Sequence, residues 1–298
     1  MPFLTFCKEQ NINLKQNEPM KNHTSFKIGG ECDYFVMPEN LQQLKAVVVK
    51  AKELGIPIFV LGKGSNILVL DGGIKGIVIS MAGINDIDVN GDEITAGAGV
   101  SVANLCVFAL QNCLSGIEFA YGIPGSVGGG LYMNAGAYGG QFSDRVIRAE
   151  YITSDGELVA VEAKDMALGY RTSIFKQNGG IILSATFKLN KGESDKIKAA
   201  MDDYMDRRKS KQPLEFPSAG STFKRPEGYF AGALIEQNNL NGVSVGGAMV
   251  SEKHAGFVIN YDNATAKDVK GLMAKIQKIV KENNGVDLEP EIIFVGKE

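Results

Sequence analysis

Apolar residues recur along the chain at the spacings that are typical of helices and strands. In residues 41–54, one helical face carries leucine, valine and alanine, and Gly55 ends the pattern. The short apolar run at residues 57–61 predicts a buried strand after a turn. A hairpin is predicted at residues 151–162, where an Asp-Gly pair separates two segments of strand-forming residues. Further strands are predicted at residues 76–81, 93–96 and 180–189.

Two more helices carry clear start or stop signals. Ser101 is placed to cap a helix that runs to about Gln111. The last helix begins at residues 265–268, and Gly285 stops it. Its apolar positions keep helical spacing and are Val269, Leu272, Met273, Ile276 and Val280. Each helix is therefore expected to bury one face.

Residues 196–211 predict a helix whose two faces differ. An apolar stripe runs along it, and Pro213 requires the helix to end before that position. The polar face ends in a cluster of four cations: Arg207, Arg208, Lys209 and Lys211. This cluster is either an ordinary solvated face or a surface that meets an anionic ligand, and the pattern leaves both interpretations open.

Length and composition indicate a globular protein with more than one domain. At 298 residues, two or three domains are expected. Hydrophobic residues make up 44%, charged residues 22%, and the net charge is -3, which does not favour nucleic-acid binding. Neither a membrane-spanning apolar stretch nor an export signal is evident. We therefore expect a cytoplasmic protein with no membrane insertion. A monomer is also expected, although the residues themselves do not determine the oligomeric state.

Cysteine and histidine are too few and too scattered to predict a metal site. The four cysteines lack CxxC spacing, and the chain has two histidines, His23 and His254. Reduced and partly buried thiols are the expected state of Cys7, Cys32, Cys106 and Cys113.

Two glycine-rich loops are the strongest chemical signal from the residues themselves. Residues 58–69 place a GKGSN turn directly after a strand, where main-chain N–H groups can surround a pyrophosphate. This turn fits neither a Walker A loop nor the GxGxxG pattern of a Rossmann fold. A second loop, residues 121–140, holds more glycine than a turn requires. Together the loops could hold the two ends of an extended dinucleotide.

At this point the chain is seen to resemble the UDP-N-acetylenolpyruvoylglucosamine reductase (MurB) family over nearly its whole length. The motifs that carry the resemblance read TSFKIGG, LGKGSNILV, GIPGSVGGG, NAGAYGG, GYRTSIF, PSAGSTFKRP and LEPEIIFVG. The resemblance implies an α+β fold with an FAD-binding region of the vanillyl-alcohol-oxidase type and a C-terminal α+β substrate-binding domain. It implies domains at residues 1–195, with subdomains near 1–75 and 76–195, and at 196–298. The last residues are expected to return to the FAD region.

The same resemblance implies a reaction and a set of ligand-binding residues. NADPH reduces non-covalent FAD, which reduces UDP-N-acetylglucosamine enolpyruvate to UDP-N-acetylmuramate for peptidoglycan synthesis. The residues implied for FAD are Leu61, Gly62, Lys63, Gly64, Ser65, Asn66, Ile123, Pro124, Gly125, Ser126, Gly128, Gly129, Asn134, Gly136, Ala137 and Ile182. Tyr138, Lys211 and Arg225 are implied for the substrate.

Three residues match the family's catalytic positions. The resemblance implies that Ser221 donates a proton, that Arg171 binds the substrate carboxylate and that Glu291 assists enol stabilisation. His254 also falls at a family position, although a structural histidine is the expected role. The short stretch 170–189 lacks a tyrosine-bearing insertion, which indicates the shorter branch of the family.

Two other functions remain open on the residues alone. A flavin oxidase of the same fold would need a substrate-facing base and often a residue that tethers the flavin, for which His23 or Cys32 could be imagined. A non-catalytic flavin-binding module would not need the serine, arginine and glutamate. Binding without turnover would identify the second alternative.

Overall fold

A capped helix and the strand that follows it show how the sequence pattern becomes structure. The Asn40 side chain accepts a hydrogen bond from the N–H of Gln43 at 2.9 Å and begins helix α2 (Leu41–Glu53). The face that the sequence predicts as apolar is buried. Strand β3 (Ile58–Leu61) follows after a short turn. The predicted order of helix, turn and strand is confirmed.

The computed structural model describes residues 2–298. Its helices are α1 (Phe3–Glu9), α2, α3 (Val102–Gln111), α4 (Val127–Tyr132), α5 (Ile174–Asn178), α6 (Ser194–Lys211), α7 (Ala231–Gln237) and α8 (Ala266–Asn284). Its strands are β1 (Asn13–Pro19), β2 (Glu31–Met37), β3, β4 (Ile67–Val69), β5 (Ile74–Ser80), β6 (Ile87–Asn90), β7 (Glu93–Gly97), β8 (Leu114–Ser115), β9 (Gly136–Ala137), β10 (Gly140–Gln141), β11 (Val146–Ile152), β12 (Leu158–Glu162), β13 (Ile181–Lys188), β14 (Asn190–Lys191), β15 (Ser244–Val245), β16 (Ala248–Val250), β17 (Val258–Asn260) and β18 (Ile293–Val295). No helix within this range is both long and apolar enough to span a bilayer.

The larger sheets are antiparallel or mixed. An antiparallel sheet of five strands has the order β12-β11-β13-β7-β6. A four-stranded sheet has the order β1-β2-β5-β3, and its β3 and β5 run parallel. Ile152 pairs with Leu158 across the β11–β12 hairpin, which confirms the hairpin predicted at residues 151–162. These sheets give the mixed α and β architecture that the sequence predicts.

The chain divides into two compact units, each with its own hydrophobic core. The first unit comprises residues 2–16, Tyr34–Lys63 and Gly76–Arg208, and its core includes Leu44, Leu105 and Phe187. The five-stranded sheet and helices α2 to α5 belong to this unit. Its apolar interior is formed by faces of these elements.

The second unit is assembled from three separated segments. They are Asn17–Asp33, Gly64–Lys75 and Lys209–Glu298. Within this unit β18 pairs in parallel with β4, and β15, β16 and β17 form an antiparallel sheet beside α8. Its core combines Phe26 and Leu68 with the apolar face of α8.

This division differs from the boundary near residue 195 that the resemblance implies. Residues 17–33 and 64–75, expected in the first region, supply Phe26 and Leu68 to the core of the second unit. Most of α6 belongs to the first unit, because its buried Ile197 and Met201 lie in that core. The difference arises because compactness follows contacts in space, whereas a sequence boundary assumes continuous segments. The functional assignment of the two regions stays a prediction.

Candidate active site

The two glycine-rich loops meet inside the first unit. Gly62 follows β3, and a Cβ atom built on it would lie 2.6 Å from the Oγ atom of Ser126 in the second loop. Gly62 therefore has to be glycine for the loops to approach this closely. Of the other first-loop residues in this unit, Leu61 is buried and Lys63 is exposed.

Main-chain hydrogen bonds fix the second loop to residues 98–102. The Gly125 carbonyl accepts from the N–H of Val102 at 3.0 Å, and the N–H of Gly128 donates to the Ala98 carbonyl at 2.9 Å. Ser126 is buried and caps α4, since its Oγ atom accepts from the N–H of Gly129 at 3.3 Å. These bonds hold the loop against residues 98–102. Ile123 is half-buried and Pro124 is exposed on it.

The glycines of this loop fall into two groups, and one group leaves room for a cofactor. A Cβ atom on Gly128 would lie 2.7 Å from the Ala98 Cβ atom, so packing requires this glycine. A Cβ atom on Gly129 or Gly125 would approach no heavy atom closer than 3.4 or 3.7 Å, and neither residue has a positive φ. Neither packing nor backbone conformation requires them. Bare main chain there fits the close approach of FAD.

Asn134 serves as a hydrogen-bonding centre of the first unit. It is buried, and its Oδ1 atom accepts from the N–H of Ser143 at 2.9 Å. Its Nδ2 atom donates to the Gly169 carbonyl at 3.1 Å. The side chain of Asn134 therefore holds the loop together, and its proposed contact with FAD remains untested.

Tyr138 lies at the tip of a tight hairpin formed by β9 and β10. Tyr138 and Gly139 have φ values of 53° and 88°, as a two-residue turn with left-handed residues requires. The Tyr138 ring is 42% exposed and stacks on Tyr204, with ring centroids 4.9 Å apart. Gly136 and Ala137 form β9, and Ile182 is buried in β13.

Arg171 occupies a short turn that is fastened to the second glycine loop. Gly169 and Thr172 exchange main-chain hydrogen bonds across this turn, and Arg171 has a φ of 56°. The Ser173 hydroxyl donates to the Tyr132 carbonyl at 2.8 Å. With the Asn134 bond to Gly169, this places Arg171 beside the loop predicted to bind FAD. The left-handed backbone is unusual for arginine and points to a functional constraint.

In the second unit, Ser221 and Glu291 are brought together through Thr222. The Thr222 carbonyl accepts from the N–H of Glu291 at 2.9 Å. The buried Thr222 hydroxyl accepts from the N–H of Val258 at 2.8 Å, and the Thr222 N–H donates to the Gly256 carbonyl. Ser221 itself is exposed. No local pattern in the sequence singles out Thr222, because its importance depends on long-range hydrogen bonds.

The remaining part of the first glycine loop, residues 64–66, is bonded to the segment that leads from Glu291 into strand β18. Gly64 has a φ of 61°, and a Cβ atom there would lie 2.3 Å from the His23 carbonyl oxygen. The N–H of Ile293 donates to the Asn66 carbonyl at 3.0 Å, which continues into the β4–β18 pairing. This bonding holds the end of the loop, Gly64 to Asn66, close in the chain pairing to Glu291. Ser65 is half-buried.

The two cations implied for the substrate differ in their surroundings. The Arg225 guanidinium carbon lies 4.0 Å from the centroid of the Phe230 ring, and both residues are exposed. Lys211 is exposed at the end of α6. Both remain accessible to an anionic ligand.

His254 has the features of a structural histidine. Its Nδ1 atom accepts from the N–H of Gly256 at 3.1 Å, and its ring packs edge-on against Phe257. Burial lowers the pKa of His254, and the positive charge of Lys211 acts in the same direction. The neutral imidazole is therefore favoured.

The two residues imagined as flavin tethers are engaged or unreactive. The Nε2 atom of His23 lies 2.8 Å from Glu18 Oε1. Cys32 is buried, and burial raises the pKa of its thiol to about 11, which disfavours the thiolate. No group of metal ligands occurs within residues 2–298.

The second unit also contains a cavity of about 590 Å³ beside the start of α8. Phe216 and Tyr261 line one part of it, and Lys21 and Lys27 line another. None of the residues implied for FAD, substrate or catalysis contributes to its lining.

Comparison with known proteins defines the class of this fold. Residues 32–162 match the FAD binding domain family, and residues 212–295 match the C-terminal domain of UDP-N-acetylenolpyruvoylglucosamine reductase. The chain also aligns with a solved variant of berberine bridge enzyme at 14% identity and a TM-score of 0.51, over 64% of this chain and 43% of that one. That likeness concerns the fold alone. The chain is a flavoenzyme with an FAD-binding domain and a separate C-terminal domain.

Close relatives identify the family within that class. The chain is 50% identical to the UDP-N-acetylenolpyruvoylglucosamine reductase of Clostridium novyi strain NT, over 96% of this chain and 93% of the relative. The crystal structure of the Thermus caldophilus enzyme aligns with a TM-score of 0.82 at 34% identity, over 95% of this chain and 98% of that chain. The protein belongs to the UDP-N-acetylenolpyruvoylglucosamine reductase family. The predicted family, FAD and fold are confirmed.

Proposed function

We propose that this enzyme reduces UDP-N-acetylglucosamine enolpyruvate to UDP-N-acetylmuramate with NADPH as the hydride source, as a cytoplasmic monomer. The product is a peptidoglycan precursor. The linked placement of Ser221 and Glu291 is the observation that carries the proposal, because it puts a hydroxyl and a carboxyl on adjoining segments. Neither a binding module nor a simple oxidase needs that pair.

The reaction requires two additions to the enolpyruvyl double bond. A bound FAD would supply the hydride chemistry at the vinyl CH₂ carbon, with NADPH as the source of the hydride. The neighbouring carbon, which bears the ether oxygen and the carboxylate, must then receive a proton. Negative charge meanwhile spreads into the carboxylate as an enediolate. The protein therefore has to stabilise an anion and deliver one proton.

Ser221 is proposed as the proton donor. A serine hydroxyl is a weak acid in water, yet it can protonate a strongly basic enediolate that is held against it. Its position is fixed because Thr222 uses its N–H, carbonyl and hydroxyl in hydrogen bonds within the second unit. The exposed serine side chain is left available to the substrate.

Arg171 and Glu291 are proposed to stabilise the developing charge. The guanidinium can donate two parallel N–H groups to the substrate carboxylate. Its left-handed backbone and anchored turn limit the positions that it can adopt. The Glu291 carboxyl assists by a hydrogen bond to the enol. Tyr138, Lys211 and Arg225 are proposed to bind the rest of the nucleotide sugar.

An anaerobic absorbance experiment tests this function directly. The purified enzyme receives NADPH first and the enolpyruvyl substrate second. The absorbance band that flavins show at roughly 450 nm is recorded throughout. We expect bleaching with NADPH and recovery with the substrate. Bleaching without recovery would reject the substrate and retain the flavin. Bleaching by an alcohol in place of NADPH, with recovery on admitting oxygen and none with the enolpyruvyl compound, would favour an oxidase.

A further inference from the structure

Adjacent arginines near the end of α6 have different surroundings. The Arg207 Nη2 atom lies 2.7 Å from Asp203 Oδ2, and the Arg207 side chain is 57% exposed. Arg208 is half-buried, and its guanidinium has no carboxylate or hydrogen-bond partner among residues 2–298. The first cation is exposed and compensated, whereas the second is half-buried and has no such partner.

The neighbouring loop is shaped to admit the Arg208 side chain. A Cβ atom built on Gly122 would lie 2.9 Å from the Arg208 Cδ atom and 3.8 Å from its Nε atom. Gly122 has no positive φ, so its backbone would accept other residues. The absence of a side chain at Gly122 lets the arginine lie across it in this position. Gly122 directly precedes the residues implied for FAD.

An aromatic pair lies beside the same side chain. Tyr204 precedes Arg208 by one helical turn and shares its face of α6. The Tyr138 ring stacks on Tyr204 at 4.9 Å. Burial lowers the pKa of the Arg208 guanidinium, and the Tyr138 phenol acts in the opposite direction. The cation thus lies between the glycine loop and the tyrosine implied for the substrate.

This arrangement is unfavourable for the free protein. An arginine stays protonated at every physiological pH, so it cannot relieve burial by losing its charge. A charge that is partly withdrawn from water without a partner costs free energy. Such a group is expected where a ligand supplies the missing anion.

We propose that Arg208 binds a phosphate oxygen of the nucleotide sugar, with Tyr138 beside it. The planar guanidinium can donate two N–H groups to a diphosphate, which lysine cannot do. This inference rests on the proposed function for its ligand. FAD and NADPH also carry phosphates, and the experiment separates these sources.

Calorimetric titration of the FAD-loaded oxidised enzyme with UDP tests the assignment without turnover. We expect Arg208→Met to weaken UDP binding by about 10- to 100-fold, as loss of charged hydrogen bonds does. Arg208→Lys should recover part of the affinity. The matched control Arg207→Met should stay within about twofold of the wild type, because Arg207 is exposed and bound to Asp203.

Two further readouts separate ligand binding from packing. Substrate KM should rise in Arg208→Met while the limiting rate of flavin reoxidation is kept. The thermal midpoint without UDP should stay equal or rise, since an uncompensated charge is removed. A lower midpoint with unchanged UDP affinity would assign Arg208 to packing and overturn the proposal.

The remaining outcomes identify another source of phosphate or another function. If Arg208→Met keeps the wild-type UDP affinity but loses FAD, or shows a higher KM for NADPH, the assignment to the nucleotide sugar is overturned. If the wild type binds UDP through Arg208 but never turns over the enolpyruvyl substrate, the proposed function fails and the Arg208 contact stands. If the enzyme turns over the enolpyruvyl substrate but UDP binding does not depend on Arg208, the proposed function stands and the Arg208 contact fails.

Discussion

Thr222 shows how one residue without chemistry of its own can organise the segments that carry the proposed catalytic groups. All of its hydrogen-bonding groups are used, towards Gly256, Val258 and Glu291. Two of these bonds join residues 256–258 and the third joins Glu291, so Thr222 is held between two segments. The neighbouring Ser221 side chain is consequently presented on a rigid support, which general acid catalysis requires.

Ser221→Ala should slow one half-reaction selectively. We expect flavin reoxidation by the enolpyruvyl substrate to fall about 10² to 10⁴-fold, the usual effect of losing a general acid. Flavin reduction by NADPH should continue at the wild-type rate. Anaerobic stopped-flow absorbance measures both steps. Ser218→Ala is the matched control, because the Ser218 carbonyl, not its hydroxyl, accepts the bond from Ser25. Equal reoxidation rates in wild type and Ser221→Ala would exclude Ser221 as the donor.

His254 should make the folded state sensitive to mild acid. Its pKa in the folded protein is lowered from the ordinary 6.5, so the unfolded chain binds a proton more readily. The resulting stability is complete above pH 6.5 and is lost as the pH falls through the folded-state value. The free energy of unfolding, measured by urea denaturation between pH 8 and 5, should therefore fall less steeply with decreasing pH in His254→Asn than in the wild type. His23→Gln is the control, and parallel declines in all three proteins would contradict the expectation.

At the scale of elements, end signals and apolar spacing made several helices predictable. Thr265 and Asp268 form a reciprocal capping box on α8, and Gly285 ends the helix with a φ of 70°. The five apolar positions predicted for this helix are all buried. Local bonds and one continuous face determine these features, so the sequence contains them directly. In α6, by contrast, only Ile197 and Met201 of the predicted stripe are buried, because Tyr204 on that stripe stacks on the exposed ring of Tyr138.

Helix α4 allows packing and cofactor binding to be separated by two neighbouring glycines. Gly128→Ala would press a Cβ atom against Ala98 and should reduce the free energy of unfolding by about 1–3 kcal/mol. Gly129→Ala has room in the protein alone and should keep the stability of the apoprotein. It should nevertheless weaken FAD binding, since the methyl group occupies the space left for the cofactor. Urea denaturation of the apoprotein measures the first effect, and fluorescence titration with FAD measures the second. Wild-type FAD affinity in Gly129→Ala would show that the cofactor does not lie against Gly129.

At the scale of the whole molecule, sequence patterns could not establish the division into units. Ile67–Val69 and Ile293–Val295 each look like short apolar strands, and nothing local indicates that they pair. The roles proposed for Ser221, Arg171 and Glu291 likewise rest on family resemblance, since each would be an ordinary residue in isolation. Gly62 and Ser126 were identifiable as loop residues, whereas their contact required the folded chain.

Removal of FAD should destabilise the protein measurably. A ligand that binds only the folded state adds about 2.7 kcal/mol to the free energy of unfolding when its free concentration is 100 times Kd. We expect the thermal midpoint of the apoprotein to rise with added FAD and, above Kd, to keep rising with the logarithm of the free FAD concentration. FMN, which lacks the adenylate half, is the control and should give a smaller shift. A midpoint that is independent of FAD would contradict specific binding to the folded chain.

The pairing of β4 with β18 has a consequence for protein synthesis. The Asn66 side chain bonds to the Glu291 carbonyl across 225 positions of the chain. At roughly 5–20 residues per second, a ribosome needs about 10 to 45 seconds to add the intervening segment. During that interval the apolar strand Ile67–Val69 has left the ribosome without its β18 partner. Translation speed and chaperone access during this window therefore affect how much nascent chain reaches the native state.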